Sequence, residues 1–212
     1  RFDKNGDTLW TRHIGTIDWD FFYDVTPTWD GGFVFAGGTY GMGNGEEDML
    51  FVKLDSIGDM EWIRTWGGVK DDEARGVVET EDSLLVACGV TYSLGDSLGD
   101  TWILRLNWIA GDTIWTRKGL HTAGADMALA IATGLGRFGV VGQYTTASGD
   151  QNAFIHTMLL DSTTQLDITN GITGYEYFSG IVFLPTSYNL ATIGGTENDG
   201  AFTITYKLTY LK

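Results

Sequence analysis

Proline, cysteine and positive charge are scarce in this chain, and it has no long apolar run. Two prolines in 212 residues leave nearly every backbone N–H free to join a hydrogen-bonded ladder. The single cysteine, Cys88, excludes a disulfide framework and a thiolate metal cluster. It sits in the apolar run "LLVACGV", so it is predicted to be a small buried hydrophobe on a strand. One cysteine does not decide a compartment. Thirteen Lys and Arg against 28 Asp and Glu give a net charge of −15. Such a surface repels phosphate backbones and anionic lipid, which excludes nucleic-acid and membrane-surface roles. No segment approaches the roughly eighteen apolar residues of a membrane-spanning helix, so no membrane insertion is expected. No signal-like segment precedes Arg1, and the chain reads as processed or cut from a longer protein whose other domains would be partners.

What the sequence does have is glycine and strand-forming residues. Thirty glycines, 43% hydrophobic and 13% aromatic residues favour short strands joined by tight turns around a sizeable core. An all-β fold is predicted.

The chain also repeats itself. "NGDTLWTR" (5–12), "IGDMEWIR" (57–64) and "AGDTIWTR" (110–117) place Trp10, Trp62 and Trp115 at intervals of 52 and 53 residues, and a fourth, degenerate copy falls on Ile168. Gly37, Gly89, Gly142 and Gly194 form a second series in the same step, in "FAGGTY", "ACGVTY", "VVGQYT" and "TIGGTE". "VKLDS" (52–56), "LRLNW" (104–108) and "MLLDS" (158–162) hold the same phase. The second unit resolves into strands at 73–80, 84–92, 100–107 and 112–119, separated by Gly, Asp and Ser turns. A period near 50 residues with four strands per unit is the signature of propeller blades. The prediction is a single domain over 1–212, a β-propeller of four four-stranded blades with repeats near 1–52, 53–104, 105–157 and 158–208. The alternative is part of a seven- or eight-bladed ring, or half of one formed by two chains. In the closed form, the strand at 8–14 would complete the blade built from 178–208 and leave no open sheet edge. The Gly-Asp pair closes the hairpin between third and fourth strands, where Gly6, Gly58 and Gly111 supply positive φ. The Trp that follows is predicted to wedge between adjacent blades.

The segments "KLDSIGDMEWIRTWGGVKDDEARGVVET", "LLVACGVTYSLGD" and "TWDGGFVFAGGTYGMGNGEEDMLFVKLDS" resemble the propeller repeats of large secreted or cell-surface bacterial proteins. Many of these occur in Bacteroidota, often as cargo of the type IX secretion pathway. The likeness is strong over about three quarters of the chain and weak in the last repeat. It implies a β-propeller and an extracellular or cell-surface setting, and that family has no single activity. The Asp-Gly turn before Trp is distantly similar to quinoprotein repeats. Sialidase Asp-boxes differ by one residue in the spacing from Gly to Trp.

Catalytic motifs are sparse. His13, His121 and His156 fall in different repeats with no metal-ligand spacing. "SLGDSLGD" (93–100) reads as a loop without a base for its serines, and "GMGNGEED" (41–48) lacks the Lys of a phosphate loop. "DKNGD" (3–7) lacks the later Glu of a calcium loop and reads as a turn. No catalytic residue and no metal site are assigned. Carboxylates and aromatics are the ligand-like pattern. Asp18, Asp20, Glu46, Glu47, Asp71, Asp72, Asp96 and Asp100 lie in loops that emerge at one end of the sheets, and Trp19, Tyr40, Trp66, Tyr92 and Tyr144 lie beside them. The candidate ligand-binding residues are therefore Trp19, Tyr40, Trp66, Asp71, Asp72, Tyr92 and Tyr144. Aromatic rings cover the apolar faces of sugars while carboxylates accept their hydroxyl hydrogens. The same acids suit Ca²⁺, with no other cofactor expected. The other reading of these groups is a solvated acidic rim with Asp side chains capping turns and a Tyr closing each second strand.

The expected function is a non-catalytic binding or scaffolding module of a secreted or cell-surface bacterial protein, with a protein or carbohydrate ligand on this loop end. The alternative is a carbohydrate-active enzyme, a hydrolase or lyase, using two of the loop carboxylates. Copies one to three have nearly equivalent loops, whereas an enzyme needs unlike loops that converge on one acid pair.

Overall fold

The computed structural model describes residues 1–95, 98–119, 124–160, 165–170, 175–184 and 190–196. Every regular element among them is a β-strand. The first sheet contains β1 (Asp20–Pro27), β2 (Phe33–Thr39), β3 (Asp48–Leu54) and β4 (Met60–Trp66). The second contains β5 (Asp72–Glu79), β6 (Leu84–Thr91), β7 (Asp100–Asn107) and β8 (Thr113–Lys118). The third contains β9 (Asp126–Gly134), β10 (Arg137–Thr145), β11 (Gln151–Leu159) and β12 (Gln165–Asn170), and β13 (Glu176–Phe183) pairs with β14 (Leu190–Thr196) in a fourth. Each sheet is an antiparallel meander in chain order. The predicted strands of the second unit match β5 to β8 to within a residue at each end. A meander can be cut at any turn, so the repeat bounds drawn on the sequence and the sheets at 20–66, 72–118 and 126–170 describe one period in different phase.

Sheets stack on their sequence neighbours. The first strand of each later sheet lies across three strands of the sheet before it: β5 on β1, β2 and β3, then β9 on β5, β6 and β7, then β13 on β9, β10 and β11. Both faces of the second sheet are consequently buried. Leu85, Ala87 and Leu104 point to the first sheet and pack with Val34, Ala36, Met49 and Phe51. Val86, Cys88 and Ile103 point to the third and pack with Ala128, Phe138 and Val140. This explains why "LLVACGV" lacks the polar alternation of a half-exposed strand. Cys88 is fully buried in β6, as its sequence setting predicts, and burial pushes its thiol pKa up.

The recurring glycines follow from one bulge. In the first, second and fourth sheets the leading strand skips a residue, between Phe22 and Asp24, Ala74 and Gly76, and Phe178 and Gly180, and the third sheet shifts register beside Gly142. The bulge drives a carbonyl of the leading strand into its neighbour. A Cβ on Gly37, Gly89, Gly142 or Gly194 would land on the carbonyl oxygen of Phe21, Glu73, Met127 or Tyr177.

The Gly-Asp turns repeat in atomic detail. Asp3 and Asp55 each accept two backbone N–H groups through Oδ1, at 2.8 and 2.9 Å and at 3.0 and 2.8 Å, and Asn107 accepts one from Ile109 at 2.8 Å. Gly6, Gly58 and Gly111 have φ of 89°, 88° and 73°. "DKNGD" is a turn of this kind. Two of these glycines serve a second purpose. A Cβ on Gly58 would meet the Trp10 ring at 3.0 Å, and one on Gly111 would meet the Trp62 ring at 3.1 Å. Each Trp thus packs on the turn of the next unit. Trp62 is buried there and donates its indole N–H to the Trp108 carbonyl at 2.9 Å.

Residues 8–14 differ from the predicted strand. Among the described residues only Thr8 forms a bridge, to Phe2, and the segment instead lies on the outer face of the first sheet, with Trp10 and Ile14 against Leu50, Val52 and Leu54. The short segment 1–3 lies antiparallel beside it, with Leu9 N–H to Arg1 C=O and Asp3 N–H to Asp7 C=O both at 2.9 Å. The partner proposed for 8–14, at 201–208, is outside the described residues, as are His121, Asp96 and the fourth strand-three copy.

Candidate functional site

Antiparallel meanders put the start of β1, the end of β2, the start of β3 and the end of β4 at one end of a sheet. The residues entering β5 and leaving β6 fall at the same end of the second sheet. Tyr40 N–H to Trp19 C=O at 2.9 Å, Tyr92 N–H to Asp71 C=O at 3.0 Å and Thr145 N–H to Ala125 C=O at 2.7 Å repeat once per sheet and tie the loops together. Asp72 N–H to Glu47 C=O at 2.7 Å and Asp126 N–H to Gly99 C=O at 2.8 Å link one sheet to the next.

An acidic and aromatic cluster occupies the junction of the first two sheets at this end. The Tyr40 hydroxyl hydrogen-bonds to Glu47, and this bond, with burial, pushes the Tyr40 pKa up to about 12. Asp71 accepts the Glu47 N–H through Oδ1 at 3.1 Å. Burial raises the Glu47 carboxyl above its ordinary range, Glu73 and Asp71 raise it further, and Arg75 pulls it back. Arg75 is ion-paired to Glu73 and lies over the Tyr23 ring at 4.1 Å. Tyr92 is half-buried nearby, its pKa raised by burial and then by Glu73.

A line of rings leads out from this cluster. Successive odd residues of a strand share a face, so Trp19, Phe21 and Tyr23 stand side by side. Trp19 stacks on Phe21 at 6.0 Å with planes 29° apart, and Phe21 on Tyr23 at 6.4 Å and 14°. Trp19 is 70% exposed at the outer end. Arg75 closes the inner end. The ladder therefore joins a first-sheet strand to a second-sheet cation.

Of the seven candidate ligand residues, Trp19, Tyr40, Asp71 and Tyr92 are brought to this junction. Trp66 packs edge-on against Phe51 at 5.3 Å as part of the core. Asp72 is buried and accepts hydrogen bonds from Gly68 N–H at 2.8 Å and the Ser93 hydroxyl at 2.6 Å, which is turn capping. Tyr144 lies one junction further along, where its hydroxyl accepts from Asn152 at 3.3 Å. At that junction, between the second and third sheets, Tyr92, Asp126 and Gln143 line a cleft of about 150 Å³. Asp20 and Asp48 likewise cap loops, Asp20 through Thr16 and Asp48 through the N–H groups of Asn44 and Gly45. Among the described residues no group of three or more His, Cys, Asp or Glu is arranged to hold a metal ion.

Phe21, Tyr23, Glu73 and Arg75 were not legible as site residues. The alternation in "WDFFYD" (19–24) carries the signal for the two rings, since an aromatic at every second residue marks one strand face. Nothing local to "DEARG" indicates that Arg75 reaches Tyr23 across the sheet junction.

No protein-family model matches the chain, and no curated protein is found that is similar to it. No helix among the described residues is long and apolar enough to cross a membrane.

Proposed function

We propose that the chain is a β-propeller built of four-stranded blades, acting as a non-catalytic binding module of a secreted or cell-surface bacterial protein, with a glycan as ligand at the loop end. The supporting observation is the exposed ladder Trp19–Phe21–Tyr23 running into Arg75, Glu73, Glu47 and Tyr40. Flat rings accept the C–H faces of sugar rings in sequence, and the carboxylates and guanidinium at the inner end pair with hydroxyls. The order of sheets, the recurrent Trp wedge and the equivalent turns support the blade reading. The repeat resemblance supports the extracellular setting.

The test is a glycan array probed with the wild-type chain and with Trp19→Ala. The expected result is retention of a subset of glycans by the wild type, with loss of about 1–3 kcal/mol of affinity, roughly five- to 150-fold, in the variant at unchanged stability. An array that stays blank for both proteins removes the glycan and leaves a scaffolding module. Cleavage of a retained glycan would establish the enzyme reading, with Glu47, Asp71 and Glu73 as the acids to replace.

A further inference from the structure

Each sheet has a face turned to the sheet before it and a face turned to the sheet after it, and among the described residues one of each carries exposed apolar side chains. On the face turned backward, Ala74, Ala128 and Phe178 occupy one position, and all three are buried. Phe22 holds that position in the first sheet and is 37% exposed. At the next position Val77 and Ile131 are buried, while Val25 of the first sheet is 48% exposed. Phe33 and Phe35 are half-buried where Leu85 and Ala87 are fully buried. Trp10 covers part of this face and leaves beside it a cleft of about 320 Å³ lined mainly by Val25, Pro27, Phe33 and Phe35, and one of about 430 Å³ whose lining mixes Phe22, Phe35 and Leu54 with Arg1, Arg12 and His13.

The face turned forward is open at the other end of the stack. Ala36, Cys88 and Val141 hold one position in the first three sheets and are fully buried. Ile193 holds it in the fourth and is 51% exposed. Val78 and Ala132 pack against the following sheet, whereas their counterpart Val182 is 53% exposed.

We propose that these two open faces are the halves of one interface, and that two copies of the chain join head to tail, the fourth sheet of one on the first sheet of the other. The contact is continuous with an interface the chain already makes three times, apolar face to apolar face at matching positions. Its wedge is in place: Trp10 lies on the Gly58 turn as Trp62 lies on the Gly111 turn, at the seam where a preceding sheet belongs. A head-to-tail contact made twice closes a two-chain ring with no open face, whereas the described sheets of a single chain keep both. The occupant is a second copy, since the principal contacts between sheets among the described strands run between sequence neighbours and leave Val25 and Ile193 exposed. At −15 per chain, like charges oppose association, so salt strengthens it.

The test is light scattering on the purified wild-type chain, on Val25→Asp, on Ile193→Asp, and on an equal mixture of the two variants. The wild type is expected at twice the chain mass of 23.2 kDa, more completely at higher salt. Each variant alone is expected to lose at least about tenfold in association, because an unpaired carboxylate is costly in an apolar interface, and to lose only the concentration-dependent part of Tm that dimerisation supplies, because both side chains are half-exposed in the single chain. The mixture regains dimer, since one wild-type pair of faces survives in the mixed species, and the double variant does not. A monomeric wild type whose Tm falls in both variants would mean that the faces meet within one chain, and a monomer indifferent to both would mean that nothing covers them. Either result overturns the proposal, and neither bears on whether Trp19 binds a glycan.

Discussion

The first and second sheets are built on one template, yet they put the same positions to different use. Phe22, Phe33 and Phe35 in the first correspond to Ala74, Leu85 and Ala87 in the second. The second sheet presses small side chains against a neighbour and buries them completely. The first carries rings at those positions, under the partial cover of Trp10 and Ile14. Side-chain direction comes from strand alternation and is the same in both. Burial comes from the adjacent sheet and is not.

The tryptophans give the largest expected contrast. Trp62→Ala should cost about 3–5 kcal/mol in urea unfolding, as expected for an aromatic removed from a packed core. Trp10→Ala, on the half-covered face, should cost only about 1–2 kcal/mol of burial. Equal losses would mean that the first sheet is as well covered as the second.

Glycine replacement should erase the contrast instead of widening it. Gly37→Ala and Gly89→Ala each force a methyl onto a carbonyl of their own sheet, so both should lose stability to the same degree, about 1–3 kcal/mol or more. A difference well outside 1 kcal/mol between them would show that the neighbouring sheet, and not the bulge, sets the requirement.

The two sheets also share an ion pair, and acid titrates it. Lys53 is fully buried and meets Asp30 at 2.7 Å, and Arg105 meets Asp82 at the corresponding place. Burial pushes the Asp30 carboxyl up, but hydrogen bonds from Lys53, Thr28 and Gly32 outweigh it and bring its pKa from 3.8 to about 2. A carboxylate with a lowered folded-state pKa contributes stability that is present above 3.8 and lost as pH falls toward about 2. Asp30→Asn should flatten the acid limb of the stability profile over that interval and leave the Asp82 contribution in place. An unaltered limb would mean that Asp30 does not titrate with folding. Glu47, with its raised pKa, acts oppositely: its charge opposes folding at neutral pH, and Glu47→Gln should raise stability there.

The smallest effect lies in the turn between the first two strands of each sheet. Gly31 has φ of 83°, and its second-sheet counterpart Ser83 has φ of 60°, a conformation that costs a residue with a Cβ. Ser83→Gly should raise the melting free energy by a few tenths to about 1 kcal/mol, while Gly31→Ser should lower it by a similar amount. No change in either would show that the serine is held without strain.

The period, the all-β class, the strands of the second unit, the positive-φ turn glycines and the burial of Cys88 were all legible in the sequence. Each rests on short-range facts: alternation, turn chemistry and the recurrence of a motif at a fixed interval. The bulge that makes Gly37 and its counterparts obligatory was not legible. The glycines were visible, but the carbonyl they avoid comes from a partner strand. Trp66 and Asp72 stand among the ligand-binding candidates because they flank loops, and the fold packs Trp66 against Phe51 and gives Asp72 the turn-capping role of the other reading.

The sequence by itself determined that a four-stranded unit recurs about every 52 residues and which side chains face each way, because strand periodicity and turn conformation are properties of neighbouring residues. Only the tertiary structure decided which of those faces are covered and that Arg75 completes a ladder begun by Trp19. Burial and cross-sheet contact depend on residues about fifty positions away, and no local pattern encodes where they come to rest.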